Sequence, residues 1–248
     1  MSRFLILIYG VLSYAVGMSG LGFFILFVGG WNFLPKHIDS NQPGSLTFAL
    51  LVNTGLITLM GVQHSVMARP SFKKAWTKVI PPATERSTYV LLSGIVFLLI
   101  CLFWQPIAGT LWDVANPTAQ IFLTAVQLLG WGFVVASSFM INHFELFGLR
   151  QVYYHFTGKP EPSPRFRERY LYKIVRHPLQ LGVLMGIWFT ATMTMTHLML
   201  SMTMTVYIFI GLHFEEKDLV ATLGPDYEAY RQRVPMILPI PKRSISVP

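Results

Sequence analysis

Charge is scarce in this sequence. Only 12% of its 248 residues are Asp, Glu, Lys or Arg, about half the share of a soluble globular domain. Five stretches, 4–35, 40–68, 87–112, 114–144 and 177–214, carry none at all. A helix with one wet face shows polar residues at a helical period, so these stretches exclude the surface helices of a soluble protein. Cysteine is nearly absent too. Cys101 stands alone, which excludes an internal disulfide and a cysteine-built metal centre. No two of the seven histidines are three or four residues apart, so no helix face offers paired ligands and no metal is expected. The apolar run after Arg3 exceeds the about 7–15 residues of a signal-peptide core and lacks a small-residue cleavage site, so it reads as a retained span.

What remains is apolar. Hydrophobic residues make up 53% of the chain and the mean hydropathy is +0.51. About 20 apolar residues cross a ~30 Å hydrocarbon core. The expected fold is therefore an all-α integral membrane protein, one domain over 1–248 with about six transmembrane helices. These fall at 1–30, 45–68, 87–104, 117–144, 177–193 and 197–214, the last two as a C-terminal helical hairpin followed by short cytoplasmic helices in 215–248. Gly29-Gly30, Pro81-Pro82 and Pro106 mark connections, and Asn116-Pro117 suits a helix start.

The hairpin is an inference from charge. Residues 177–214 number 38, roughly 57 Å as one helix, almost twice the bilayer. With the N-terminus inside and the run doubled back, Lys36 is the one member of the 19 Lys and Arg that falls outside. A single span would send Lys217, Arg231, Arg233, Lys242 and Arg243 outward. The positive-inside rule favours the hairpin, with both termini cytoplasmic. The net charge of +8 then records topology and attraction to anionic lipid. It does not point to a nucleic-acid partner.

In that topology four histidines, His64, His143, His177 and His213, share one depth at the cytoplasmic border. Polar groups in spans are costly and tend to be functional. The hairpin also brings Arg176-His177-Pro178 beside Glu215-Glu216. Pro178 at a helix start leaves first-turn N–H groups to face an anion, and the glutamates offer carboxylates. A zwitterionic ligand with ribose hydroxyls suits this pairing. So does a plain Arg–Glu bridge that closes the hairpin. Beyond it, Glu215 to Leu223 reads as helix, Gly224-Pro225 interrupts, and Tyr227, Tyr230, Arg231 and Val234 share one face.

Residues 176–234 contain Arg-His-Pro-x-x-x-Gly, an apolar hairpin, Glu-Glu-x-x-Leu, Gly-x-x-Tyr-x-x-Tyr and Arg-Val. This order resembles the membrane methyltransferases, among them isoprenylcysteine carboxyl methyltransferases and phospholipid N-methyltransferases. One departure is Gln180, where that family often has Tyr. Three further segments, Gln63-His64-Ser65-x-Met67-Ala68-Arg69, Glu85-Arg86-Ser87-x-Tyr89 and Asn142 through Gln151, resemble the bacterial methanethiol S-methyltransferases and NnrU-like proteins. The resemblance implies S-adenosylmethionine as co-substrate and methanethiol as acceptor, with dimethyl sulfide as product and 165–234 as the cofactor-binding core. It places Arg176, His177, Pro178, Leu179, Gly182, His213, Glu215, Glu216, Tyr227 and Arg231 at the cofactor.

A thiolate is the effective nucleophile, so a base or a cation near the sulfur would help. His64 and His143 are the candidates, with Arg69 and Arg150 as electrostatic helpers. Residues 150–176 read as a basic surface segment in preference to a lid. Another small thiol, an isoprenylated thiol or a lipid would be a rival acceptor. A non-enzymatic NnrU-like protein in nitrogen-oxide handling or transport is the rival outside enzymes.

Overall fold

The protein is seen here as a computed structural model that describes residues 2–31, 33–162 and 168–240. Arg165, Arg167, Lys242 and Arg243, used in the charge argument, lie outside the described residues, as does part of the 150–176 segment. The chain runs α1 (Arg3–Val28), α2 (Leu46–Ala68), α3 (Pro70–Trp76), α4 (Glu85–Phe103), β1 (Thr110–Asp113), α5 (Pro117–Ile141), α6 (His143–Leu146), α7 (Leu149–Thr157), α8 (Pro178–Trp188), β2 (Thr192–Thr194), α9 (Met195–Leu223) and α10 (Pro225–Arg233). Five of these helices, α1, α2, α4, α5 and α9, are long and apolar enough to cross a membrane. The chain is an all-α, multi-pass membrane protein.

The hairpin forms with unequal arms. The stretch expected at 177–193 is an 11-residue helix, α8, about 16 Å long and half a bilayer. Threonines end it. Thr190 Oγ1 donates to the Thr192 carbonyl at 2.9 Å, an alternative to helical bonding that short hydroxyl side chains offer the backbone. Residues 192–194 pair antiparallel with β1, which satisfies backbone groups at that end of the bundle. Thr194 then caps α9 by accepting from the His197 amide at 3.0 Å. The span expected at 197–214 and the helix expected from Glu215 are one continuous helix of 29 residues. No proline interrupts it before Pro225, and it stops at Gly224, where φ is +63°.

Small residues set the packing, as expected where lipid removes the hydrophobic drive between helices. Gly10, Ser13, Gly17 and Gly20 are buried along α1, and a Cβ on Gly20 would lie 2.3 Å from the Gly94 carbonyl of α4. Gly182 of α8 approaches α5 as closely, its Cβ position 2.5 Å from the Gly130 carbonyl. Contacts fix the directions. Gly17 meets Val90 and Gly20 meets Gly94, so α1 and α4 run parallel. Asn53 meets Gln105 and Gln63 meets Ser93, so α2 and α4 run antiparallel. The starts of α4 and α8 therefore share one end of the bundle with the ends of α2 and α9. Arg69, Arg86, Arg176 and Glu216 stand there.

Candidate functional site

At that end the two arms of the hairpin are bolted together. Arg176 donates from Nε to Glu216 Oε1 at 2.8 Å and from its second terminal nitrogen to Oε2 at 3.0 Å. His177 Nε2 lies 2.7 Å from Oε1, and the Tyr227 hydroxyl donates to the same oxygen at 2.9 Å. All of these residues are buried. Arg176 spends its remaining terminal nitrogen on the carbonyls of Arg231 and Val234, at 3.0 and 2.6 Å. Its amide and that of His177 bond to the carbonyls of Pro235 and Met236. A buried carboxylate with four donors and a buried guanidinium with matched acceptors form a satisfied network, the condition under which buried charge is tolerated. Burial and the adjacent Glu216 carboxylate raise the Tyr227 phenol above its ordinary value, so it remains a protonated donor.

This corner walls a cavity of about 810 Å³, lined by Arg176, Phe209, His213, Glu216, Lys217, Val220, Arg231, Gln232 and Met236. Four of these, Arg176, His213, Glu216 and Arg231, are among the residues the sequence placed at the cofactor. The α9 members Phe209, His213, Glu216 and Val220 fall at i, i+4, i+7 and i+11, a single face. Pro178 opens α8 and is buried. Leu179 and Gly182 turn away from the cavity: Leu179 packs on the central apolar core and Gly182 presses on α5. The two glutamates also part company. Glu215 is exposed and lies within electrostatic range of His177 and Arg86. Burial, with the Glu215 carboxylate nearby, raises the Tyr172 phenol above its ordinary value.

The four histidines do not share one pocket. His177 and His213 belong to the corner. His64 and His143 occupy separate niches, each built on a serine. Ser93 Oγ donates to the Tyr89 carbonyl at 2.9 Å and sits 3.3 Å from His64 Nδ1. Gln63 flanks the same hydroxyl, with both of its amide atoms at 3.3 Å. With the serine proton on the Tyr89 carbonyl, the nearer acceptor, the serine oxygen accepts from Nδ1 and the lone pair falls on Nε2. The ring rests between Tyr89 and Tyr207, with centroids at 4.9 and 6.4 Å. Among the described residues Nε2 has no hydrogen-bond partner. His143 follows the same logic: Ser138 Oγ donates to the Val135 carbonyl at 2.7 Å and lies 2.9 Å from Nδ1. Here, however, Nε2 is capped by the Tyr14 hydroxyl at 2.8 Å, and Phe139 stacks on the ring at 4.2 Å.

The two arginine helpers differ as well. Arg69 pairs with Asp218 at 2.9 Å and lies 4.7 Å over the Phe214 ring, which ties α2 to the α9 turn bearing Glu215. Arg150 pairs with Glu145 and donates to the Pro162 carbonyl at 2.9 Å, bracing its own connection away from the corner. Sequence reasoning did not reach Ser93, Tyr207, Ser138 or Tyr14, and it met Tyr89 only within a motif, without a role. Ser93 and Tyr89 stand four apart on α4, a spacing that puts both on one face. Nothing local to Tyr14 or Tyr207 signals its partner. Among the described residues no group of His, Cys, Asp and Glu is arranged to hold a metal.

Three relatives frame this geometry. The methanethiol S-methyltransferase of Mycobacterium tuberculosis is 45% identical over 243 residues, 98% of this chain and 99% of its own. Methanethiol S-methyltransferase 2 of Bradyrhizobium diazoefficiens is 46% identical over 238 residues, covering 96% and 91%. Nurim of Homo sapiens is 32% identical over 162 residues, 61% of each chain. No family model matches the chain, and no solved structure matches it.

Proposed function

This chain belongs to the methanethiol S-methyltransferase family, and on that premise we propose that it methylates methanethiol to dimethyl sulfide, taking the methyl group from S-adenosylmethionine. The observation that carries the cofactor assignment is the joined Arg176–Glu216–His177–Tyr227 corner beside a cavity of about 810 Å³. That volume lies within the roughly 300–1,000 Å³ of small-molecule sites. The residues of the cavity wall fit the ligand's charges: Lys217 and Arg231 suit a carboxylate, while Glu216 suits an ammonium or a ribose hydroxyl. The functional core is read as 165–234, of which 165–167 lie outside the described residues. The two readings of the Arg–Glu pair are compatible, since one bridge both closes the hairpin and forms the cavity wall.

When bound, S-adenosylmethionine supplies a methyl on a sulfonium, whose carbon–sulfur bond breaks as the thiol sulfur bonds to the carbon, leaving a neutral thioether. The chain's own part is to align the sulfur, exclude water and take its proton. His64 is the proposed acceptor, because with its Nδ1 on Ser93 the lone pair lies on Nε2, to which no described residue hydrogen-bonds. Arg69, paired with Asp218, lends field without becoming an acid. His143 and Arg150 support the surrounding helices. A small lipid-soluble thiol suits a site between membrane helices. The grouping of basic residues at this end supports placing it, and both termini, in the cytoplasm of a bacterial inner membrane.

The cofactor site is tested by titrating S-adenosylhomocysteine into purified protein and its Glu216→Gln and His177→Ala variants. Binding is expected in the parent and a loss of at least about tenfold in each variant. Equal affinity in all three would remove the corner from the site.

A further inference from the structure

The end of the bundle away from the corner holds a second cavity, of about 150 Å³. Gly130 lies against Gly182 and Gln127 against Gly186, so α5 runs antiparallel to α8. The ends of α1 and α8 therefore meet the starts of α5 and α9 at this end. The Ile38 amide bonds back to the Phe27 carbonyl at 3.0 Å, which brings Asp39 over the end of α1. Asp39, Thr124, Gln127, Thr190, Thr192 and His197 line the cavity together with residues 29–31. Gln127 and His197 are only 3% and 2% exposed, and polar groups this deep in a membrane bundle are costly unless they are matched.

Each is matched on one side by the end of α8. Gln127 Nε2 donates to the Gly186 carbonyl at 3.1 Å, and His197 Nε2 lies 2.8 Å from the Ile187 carbonyl. A carbonyl only accepts, so both Nε2 atoms are donors. The Gln127 amide oxygen and the lone pair on Nδ1 of a neutral His197 are left without a hydrogen-bond partner among the described residues. The threonine protons are spent as well, Thr190 on the Thr192 carbonyl at 2.9 Å and Thr192 on Asp113 at 2.8 Å. Asp39 accepts from Thr194 at 2.6 Å and makes no ion pair among the described residues. The Thr124 hydroxyl and the Trp31 indole are the donors not so committed among the described residues. What dominates the cavity is acceptors and one carboxylate. The negative end of the α8 dipole adds to them, because this 11-residue helix stops about half-way across the bilayer. In membrane transporters the C-terminal ends of such half-helices face bound cations.

We propose that this cavity binds one small monovalent cation, an alkali-metal ion or ammonium, with Asp39, Gln127 and His197 as its ligands. The ion balances the carboxylate and takes up the two unmatched acceptors. It thereby ties the end of α8 to α5, α9 and the segment after α1. One formal charge among neutral ligands suits a monovalent ion, whereas calcium sites draw on more carboxylates. The volume admits the ion with a few waters, each of which occupies about 30 Å³. The site lies one length of α8 from the cofactor cavity and stands apart from the methyltransferase reading.

The test is thermal unfolding of the purified full-length chain in detergent, in sodium, potassium, ammonium or N-methylglucamine chloride at equal ionic strength. N-methylglucamine is too large for the cavity and sets the reference. At least one small cation is expected to raise the midpoint by about 3–5 °C at ten times its half-saturating concentration. The shift saturates, unlike a general salt effect, and the arm that gives it identifies the ion. Asp39→Asn removes the charge and keeps an oxygen for Thr194. Thr124→Leu fills the cavity and breaks no hydrogen bond seen among the described residues. Each is expected to lose the cation-dependent shift, with a midpoint in N-methylglucamine no more than about 2 °C below the parent's. Asp113→Asn, at the same end but off the cavity wall, is expected to keep the whole shift. One midpoint for the parent in all four salts would mean a cavity filled by water only, and the proposal would fall. It falls equally if Asp39→Asn and Thr124→Leu both keep the parental shift.

Discussion

His64 and His143 are two copies of one device that end differently. Each ring sets its Nδ1 against a serine hydroxyl that also reaches a helix carbonyl, an arrangement that favours the hydrogen on Nδ1. At His143 the remaining lone pair is filled by Tyr14 and the ring is stacked on Phe139, so the imidazole is a strut between α1 and α5. At His64 the same nitrogen, Nε2, has no hydrogen-bond partner among the described residues, and the ring stands between two tyrosines at the α2–α9 seam. Position in the sequence does not distinguish them, since both sit near the end of an apolar span. What differs is whether a third side chain completes the hydrogen bonding.

The strongest way to break this comparison is to remove each ring. His64→Ala is expected to lower turnover by about 10²–10⁴, the usual range for a lost general base, with S-adenosylhomocysteine affinity unchanged. It should also remove the acid-side fall of the rate–pH profile, because a protonated imidazole cannot accept a proton. Parental turnover across the pH range would acquit His64. His143→Ala leaves Tyr14 without its acceptor and opens a cavity among aromatic rings. Unfolding in detergent should show a loss of about 2–3 kcal/mol, with turnover per folded molecule close to the parent's. A large kinetic defect at full stability would reverse the two roles.

Two finer changes sharpen it. Ser93→Ala removes the partner that fixes the His64 tautomer, and turnover should fall about tenfold with stability nearly intact. Tyr14→Phe uncovers the His143 lone pair and should cost about 1 kcal/mol with no change in turnover. If Tyr14→Phe slowed the enzyme more than Ser93→Ala did, the distinction between the niches would be lost.

Legibility in the sequence followed the range of the interaction. Charge-free stretches revealed the spans because lipid acts on every residue of a helix alike. The doubled-back run was legible from where the basic residues fall, and the structure joins Arg176 and His177 to Glu216 as that reading requires. The arm lengths were not legible, because α8 ends on threonine side-chain bonds and a strand pairing with residues near 110, a partner distant in sequence. The cofactor-site expectations named Glu215 and Glu216 together. The structure separates a buried carboxylate with four donors from an exposed one, a difference of about 100° in helical phase that only the bundle turns into two environments. Gly182, a motif position, and Leu179, which follows Pro178, were both expected at the cofactor and face helix contacts instead of the cavity. Asp218, Ser93 and Tyr207 went unnoticed because each acquires its meaning from a residue on another helix.

The account rests on methyl transfer at the basic end of the bundle, and isotope labelling tests it most directly. Purified protein would be given methanethiol and S-adenosylmethionine whose transferable methyl is deuterated, and the headspace read by mass spectrometry. The account predicts dimethyl sulfide carrying one labelled and one unlabelled methyl, formed by the parent and reduced about a hundredfold or more by His64→Ala. A parent that releases no labelled dimethyl sulfide, while remaining folded and binding S-adenosylhomocysteine, would contradict it.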